Sequence, residues 1–325
     1  MMKRTLSDHV VALYTKVFPW RFRYRFGSPF IGTLMRLKGN KVRIRDFSVF
    51  LNPEDKTATE LFLVHATAGD WIWESYEISL FLACLEANPQ PVAVDIGANY
   101  GAYTLSCCSL ARTGHVRAIV AVEPNVRTCE CLSRSIEFNG LSQHVHLINA
   151  AVAQKHDTEC FFFPHETFSA MSKITAVPDP NALSGHSSPY TVRGITIDGL
   201  LPELGIAGIH SLVAKIDVEG SEPHAFHGME ATLQASHGYQ VFFELHPGAL
   251  SSLGHDPLEF GRYLFGLGAD VVAEVNQHER VTKRIRDFSE LASIVEECRH
   301  SKEMWQDYTN IFMSKGLRIP FEIGG

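Results

Sequence analysis

No stretch of this 325-residue chain reaches the roughly 18 consecutive apolar residues that a membrane-spanning helix needs. Its opening, MMKRTLSDH, does not run from its charges into an apolar core, so a secretory leader is not expected. The seven cysteines, at 84, 107, 108, 129, 131, 160 and 298, are odd in number, and none stands in a Cys-x-x-Cys pair. That excludes a fully paired disulfide framework and supplies no zinc-ligand spacing. Reduced, buried thiols in a cytoplasmic protein are the expectation. The dinucleotide fingerprint Gly-x-Gly-x-x-Gly is missing, and there is no internal repeat and no low-complexity tract. What is present is ordinary for a folded chain: 45% hydrophobic and 20% charged residues, enough for one large core or one and a half.

Charge is spread unevenly. Residues 1–46 hold eleven Lys/Arg and two acids, a balance of +9 in a chain of −7, which leaves −16 for the rest. The basic, aromatic run FPWRFRYRF at 18–26 suits either an anionic membrane surface, met peripherally, or an acidic partner. It suits equally a solvated flank that packs Trp20 and Phe22 on the main body. Nucleic acid is disfavoured, because the acidic body would oppose it.

Residues 5–37 read as helical in patches, 42–45 and 47–51 as short strands, and 57–65 and 73–86 as helices. From 91 onward strands and helices alternate: strands at 91–96, 116–122 and 143–149, with helices at 100–112 and 125–138 between them. A second series follows: strand 211–216, helix 222–234, strand 239–245, helix 257–267, strand 270–274, helix 289–298 and strand 308–313. This pattern predicts an α/β fold with about seven core strands, mostly parallel, and helices on both faces. A segment at 157–197 interrupts it, with a strand at 161–163, a polar, proline-bearing loop, and a strand at 192–197. A loop of that length is a lid, a binding loop or an insertion.

The first strand, Val92–Ile96, is β-branched and suited to burial on both faces. It runs through Asp95 into Gly97, Asn99 and Gly101 and then a helix, whose free N–H groups point back at the loop. The glycines permit a tight turn and a close approach of backbone to a ligand. An acid before the first glycine disfavours a phosphate and suits a cationic ligand. S-adenosylmethionine, with its ammonium and sulfonium, fits that charge, and Asn99 offers an amide to its amino-acid end. The second strand ends at Glu123, where a carboxylate can bind both ribose hydroxyls, and Pro124 starts the next helix. The third runs into Asn149 and Ala150, small enough to admit adenine, although a tight turn explains them as well.

The fourth strand ends in Lys215, Asp217 and Glu219, which share one side if the strand stays extended. Three charges there are costly unless paired or used. Asp217 or Glu219 can orient or accept a hydroxyl proton, and Lys215 can pair with them or stabilise an alkoxide. A structural ion pair at the strand tip is the plain alternative. The fifth strand brings Glu244 and His246 to the same rim, with His246 a second general-base candidate.

Together, DIGANYGAYTL at 95–105, Glu123-Pro-Asn125, Asn139-Gly140, Ile197–Leu200, KIDVEGSE at 215–222 and Phe243-Glu244 resemble the FkbM-type S-adenosylmethionine-dependent methyltransferases. The likeness covers roughly residues 72–248, and Trp73-Glu74 resembles the acid-bearing helix before the first strand. It implies a Rossmann-like class I methyltransferase fold, a seven-stranded sheet with a reversed last strand, and methyl transfer to a hydroxyl of a sugar or secondary metabolite. Asp95, Gly97, Asn99, Gly101 and Glu123 would then hold S-adenosyl-L-methionine, and the run Lys215, Asp217, Glu219 would line the transfer site. By their positions Asn125, Asn149 and Ala150 join the cofactor candidates and His246 the catalytic ones, and with no fixed ligand motif no metal is expected. Tyr100, where an aliphatic residue is common, and Gly199, in place of a second acid after Asp198, depart from the family pattern. The expected layout is a basic extension over 1–56 and a methyltransferase domain over 57–318, with a lid-like insertion at 164–190. The competing readings are a non-catalytic cofactor-fold protein that docks through its basic N-terminus, and an NAD-dependent oxidoreductase, which the missing fingerprint disfavours.

Overall fold

The computed structural model describes residues 28–71, 73–165, 168–175, 187–301 and 306–325. The basic run at 18–26 and the centre of the expected lid, 176–186, lie outside the described residues. Helix α1 (Ser28–Leu37) and a hairpin of β1 (Lys41–Ile44) and β2 (Phe47–Phe50) come first. Helices α2 (Lys56–Ala68) and α3 (Ser75–Ala87) then lead to β3 (Val92–Ile96), α4 (Ala102–Arg112), β4 (Ala118–Val122), α5 (Val126–Phe138) and β5 (Val145–Ile148). The interruption is a small four-stranded sheet of β6 (Ala151–Val152), β7 (Thr158–Phe163), β8 (Lys173–Thr175) and β9 (Tyr190–Ile195), in the order β6-β9-β7-β8. The alternation resumes with α6 (Ile197–Glu203), β10 (Ser211–Ile216), α7 (Glu222–His227), α8 (Glu230–Ala235) and β11 (Gly238–Leu245). It closes with α9 (Pro247–Ser252), α10 (Pro257–Gly266), β12 (Val271–Asn276), β13 (Val281–Arg284), α11 (Phe288–His300) and β14 (Thr309–Lys315).

The main sheet runs β13-β12-β14-β11-β10-β3-β4-β5. Strands β3, β4, β5, β10 and β11 are parallel, and β14 inserts antiparallel between β11 and β12. This is the expected α/β sheet with its reversed last strand. Its eighth strand, β13, was not foreseen. The sequence Val-Thr-Lys-Arg buries one residue in four, so it carries no apolar signal, and it holds its place as an edge hairpin on β12.

The central strand β3 is buried throughout and divides two cores. Val92, Val94 and Ile96 face one core, with Leu212, Ile216, Phe226 and Phe243. Ala93 faces the other, with Phe81, Leu105, Phe242 and Phe312, and this core also takes in Ile31, Met35, Ile44 and Val49 from α1 and the hairpin. The chain leaves β3 toward β4 and β5, then returns on its other side to β10 and β11. The order therefore reverses between β3 and β10, the place where open α/β sheets bind ligands at their carboxyl ends.

The helix expected over 222–234 is two helices. Gly228 closes α7, where a Cβ would lie 3.2 Å from the Ala153 carbonyl and from Thr196 Cβ. Asp198 holds the start of the second helix by accepting from Ala231 N–H and Thr232 N–H at 3.1 and 2.7 Å.

Candidate functional site

At the tip of β3, Asp95 is 4% exposed. Its Oδ2 accepts from Thr104 N–H at 2.9 Å and from Thr104 Oγ1 at 2.6 Å. The helix α4 begins behind Gly101 at φ 87°, a left-handed residue with no side chain to cap it. Asp95 supplies that cap from the strand below, beside the positive end of the helix. Burial pushes its carboxyl up from 3.8 to about 6, against the pull of the Thr104 hydrogen bonds.

Both glycines of the loop take the left-handed conformation of the expected tight turn, and each also faces a neighbouring part of the chain. A Cβ on Gly97 (φ 86°) would lie 1.8 Å from the Asp217 carbonyl oxygen, and one on Gly101 would lie 2.5 Å from Leu132 Cδ1. The close approach is between pieces of the chain itself. It holds the β3 loop against the β10 loop, and Asp217 N–H donates to the Ile96 carbonyl at 2.9 Å. Between the glycines, Asn99 (φ 46°) keeps a buried Oδ1 that no donor meets.

Glu123, 6% exposed, ends the next strand. Its Oε2 accepts from Asn99 N–H and its Oε1 from Asn125 N–H, both at 2.8 Å. One carboxylate thus ties the two loops together, and each oxygen keeps a lone pair for a further donor. Burial raises it from 4.5 to about 7. The other residues expected around a nucleoside have structural duties. The Asn125 side chain caps α5, accepting from Arg127 N–H and Thr128 N–H. Asn149 Nδ2 donates to the carbonyls of Glu123 and Pro124 at 2.8 and 3.2 Å, which fixes the strand tip. Ala150 is fully buried in the core and shapes the floor.

Lys215 is 1% exposed. Its Nζ lies 2.7 Å from Glu77 Oε1 and 3.1 Å from Glu74 Oε1, 5.2 Å above the Tyr103 ring. Burial alone would depress its pKa, yet Glu74, Glu77 and Asp217 hold it well above the usual value, so it stays an ammonium. The ion pair at the strand tip exists, but its partners come from α3 and the residue before it. The extended alternation also stops early: β10 ends at Ile216, and Glu219 sits in a turn at φ 52°. Asp217, Glu219 and Glu244 are half-buried at neighbouring tips. Burial raises all three: Asp217 reaches about 6 against the pull of Lys215, while the charge of Asp217 adds to burial in holding Glu219 and Glu244 well above their ordinary value. Opposite Glu244 in the β11–β14 ladder stands Asn310, 3% exposed, its Oδ1 without a donor.

His246 caps α9, its Nδ1 accepting from Ala249 N–H at 3.2 Å. The ring proton therefore sits on Nε2, which faces Asp307 Oδ2 at 3.7 Å. Burial lowers its pKa, so the ring is neutral, and in this tautomer neither nitrogen is free to take a proton. In this arrangement His246 holds the start of α9.

Sequence reasoning missed three supports. Asp55 accepts from Tyr100 Oη at 2.6 Å, from Thr57 N–H at 2.9 Å and from Ser169 N–H at 3.1 Å, so the unusual Tyr100 anchors the loop to the N-terminal elements. Glu77, fully buried on α3, pairs with Lys215 and accepts from Tyr103 Oη at 2.7 Å. Glu222, 1% exposed, accepts from Val218 N–H and Gly220 N–H and shapes the turn that presents Asp217. Gly199, the other departure from the family pattern, lies under His156, whose ring a Cβ would meet at 2.3 Å. A hollow of about 260 Å³ between Pro223, His227, His255 and Tyr263 includes none of the strand-tip carboxylates. Among the described residues no group of three or more His, Cys, Asp or Glu has metal-ligating geometry.

The crevice is thus lined by Asp95, Asn99 and Glu123 on one side and by Asp217, Glu219 and Glu244 on the other. S-adenosylmethionine fits the first set. The unmet Asn99 Oδ1 awaits a donor, Glu123 has lone pairs for hydroxyls, and the carboxylates complement a cation.

A family model described as the methyltransferase FkbM domain matches residues 95–299. No curated protein matches the chain. Among solved structures, the FkbM methyltransferase of Methylobacillus flagellatus aligns at TM-score 0.39 and 11% identity, over 79% of this chain and 54% of its own. SMU.1697c of Streptococcus mutans, solved with SAH, aligns at TM-score 0.39 and 7% identity, over 74% and 96%. The precorrin 8W decarboxylase of Methanobacterium thermoautotrophicum aligns at TM-score 0.36 and 14% identity, over 75% and 90%.

Proposed function

The chain belongs to the FkbM methyltransferase family, and from that premise we propose that it methylates a hydroxyl of a sugar or secondary metabolite, with S-adenosylmethionine as donor. The observation that carries this reading is the meeting of two carboxylate sets at the switch between β3 and β10. Asp95 and Glu123 serve the donor side, and Asp217 serves the acceptor side. Bound there, S-adenosylmethionine supplies a methyl group on a sulfonium, already a good electrophile, so the chain's main tasks are placement and proton handling.

Asp217 is the residue assigned to the acceptor hydroxyl. Its backbone is pinned to Ile96 and its loop to Gly97, which fixes it beside the donor site. A pKa of about 6 leaves it mostly ionised at neutral pH and able to accept the hydroxyl proton as oxygen gains its methyl. Burial and the charge of Asp217 push Glu219 and Glu244 upward, which favours hydrogen bonding to neighbouring hydroxyls on the acceptor side. Lys215 acts at one remove, holding Glu74 and Glu77 in place beneath the crevice. On this reading the methyltransferase domain spans 57–318, and segment 164–190 shapes the acceptor side.

The test is a screen of saccharides and hydroxylated metabolites with methyl-labelled S-adenosylmethionine. Label should enter an oxygen-linked methyl group. Asp217→Ala should abolish transfer while cofactor binding survives. Undiminished transfer by that variant removes Asp217 from the mechanism, and label on nitrogen or carbon overturns the O-methyl assignment.

A further inference from the structure

The face opposite the crevice combines exposed apolar side chains with cations. Leu37, at the end of α1, is 80% exposed, and Phe138, at the end of α5, is 57% exposed. Soluble surfaces carry single apolar residues without consequence. Here, however, Lys41 Nζ lies 4.2 Å from the Phe138 ring centroid, and Arg134 lies 4.4 Å from that of Phe50. Arg43 projects from the same side of β1 as Lys41, and Arg112 reaches the Asn139 carbonyl at 2.7 Å. The arrangement is rigid. Asn139 pairs with both backbone groups of Ser48, at 3.0 and 2.8 Å, and locks the hairpin to the end of α5. The acids on this face include Asp46, 3.7 Å from Arg43, Glu137, and Glu130, one turn before Arg134 on α5.

We propose that this face docks the protein on an anionic lipid bilayer, with Leu37 and Phe138 entering the interface and Lys41, Arg43, Arg112 and Arg134 meeting the headgroups. One observation favours a bilayer over another polyanion. A nucleic acid would engage the cations and leave Leu37 and Phe138 in water, whereas a headgroup region takes both. Charge complementarity is local, since the chain as a whole is −7. The ends of α4 and α5 lie at the end of the sheet opposite the tips of β3 and β10. Docking therefore leaves the crevice open to the aqueous phase, and the inference stands whatever the crevice does.

The test is sedimentation of the full chain with vesicles of phosphatidylcholine alone or with one-third phosphatidylglycerol. The chain should pellet with the anionic vesicles only, and molar salt should release it, because screening then shortens to about 3 Å. Lys41→Glu with Arg134→Glu should lower the partition coefficient at least about tenfold, since each cation near an anionic surface contributes about fivefold. Leu37→Ser with Phe138→Ser should weaken binding comparably, and thermal melts should show both variants folded. Pelleting by neither vesicle, equal pelleting by both, or unchanged binding of either folded variant overturns the proposal. So does tighter binding to single-stranded RNA that is indifferent to Leu37→Ser with Phe138→Ser.

Discussion

A lysine as buried as Lys215 survives only while carboxylates surround it. Its attraction to Glu77 and Glu74 offsets the desolvation of the ammonium, so removing either side leaves an unpaired buried charge. We expect Lys215→Met to cost about 3–5 kcal/mol in urea denaturation, and the double variant Lys215→Met with Glu77→Gln to recover part of that loss. A double variant no better than the single one would show that packing, and not charge, holds this site. Asp95 and Glu123 make a second expectation at the same scale. Burial raises them from 3.8 and 4.5 to about 6 and about 7, so between about pH 4 and pH 7 the folded chain keeps protons that the unfolded chain has released. Their contribution to stability is full below the unfolded values and is lost as pH rises through the folded ones. A cationic ligand favours their ionised forms. Binding of S-adenosylmethionine should therefore release protons in that window and tighten as pH rises through it. Calorimetry in buffers of different ionisation enthalpy measures that release, and an affinity flat from pH 5 to pH 8 would count against these two carboxylates as its partners.

At the scale of elements, the meeting of the β3 and β10 loops sets the geometry of the site. Gly97→Ala would drive a Cβ into the Asp217 carbonyl as well as strain a residue at φ 86°. We expect a loss of about 3 kcal/mol or more, with the activity lost because Asp217 moves. Gly205→Ala is the control. It has φ 71° and nothing within 4 Å of its added Cβ, so strain alone costs about 1 kcal/mol and activity stays. Equal losses would mean that strain, and not the contact, dominates at Gly97. The elements themselves were legible where apolar periodicity was strong. Strand β10 occupies the expected residues, and β3, α4 and α5 differ by one or two at their ends. The break at Gly228 has no local apolar signal, and the helix that follows is held by Asp198, distant in sequence. The same limit applies within the site. Asp95, Glu123 and Asp217 could be named from their strand-tip positions. That Lys215 pairs with Glu74 and Glu77 and that Asp55 anchors Tyr100 are tertiary facts with no local pattern.

Across the whole molecule, the two ends of the sheet carry opposite chemistry. The strand tips concentrate carboxylates around one buried ammonium, while the far end gathers cations around Leu37 and Phe138. The acidic end is suited to a cationic donor and a neutral or cationic acceptor, so phosphorylated or carboxylated acceptors should be turned over poorly in competition with their uncharged counterparts. Preference for the anionic member of such pairs would contradict that charge reading. The most direct measurement is calorimetric titration of S-adenosylmethionine into the purified chain. We expect single-site binding that falls at least about tenfold in Glu123→Gln, which weakens hydrogen bonds to a charged group, and persists in Asp217→Ala. Absence of binding by the wild-type chain, or binding of NAD in its place, would contradict the assignment of the crevice to a methyl donor.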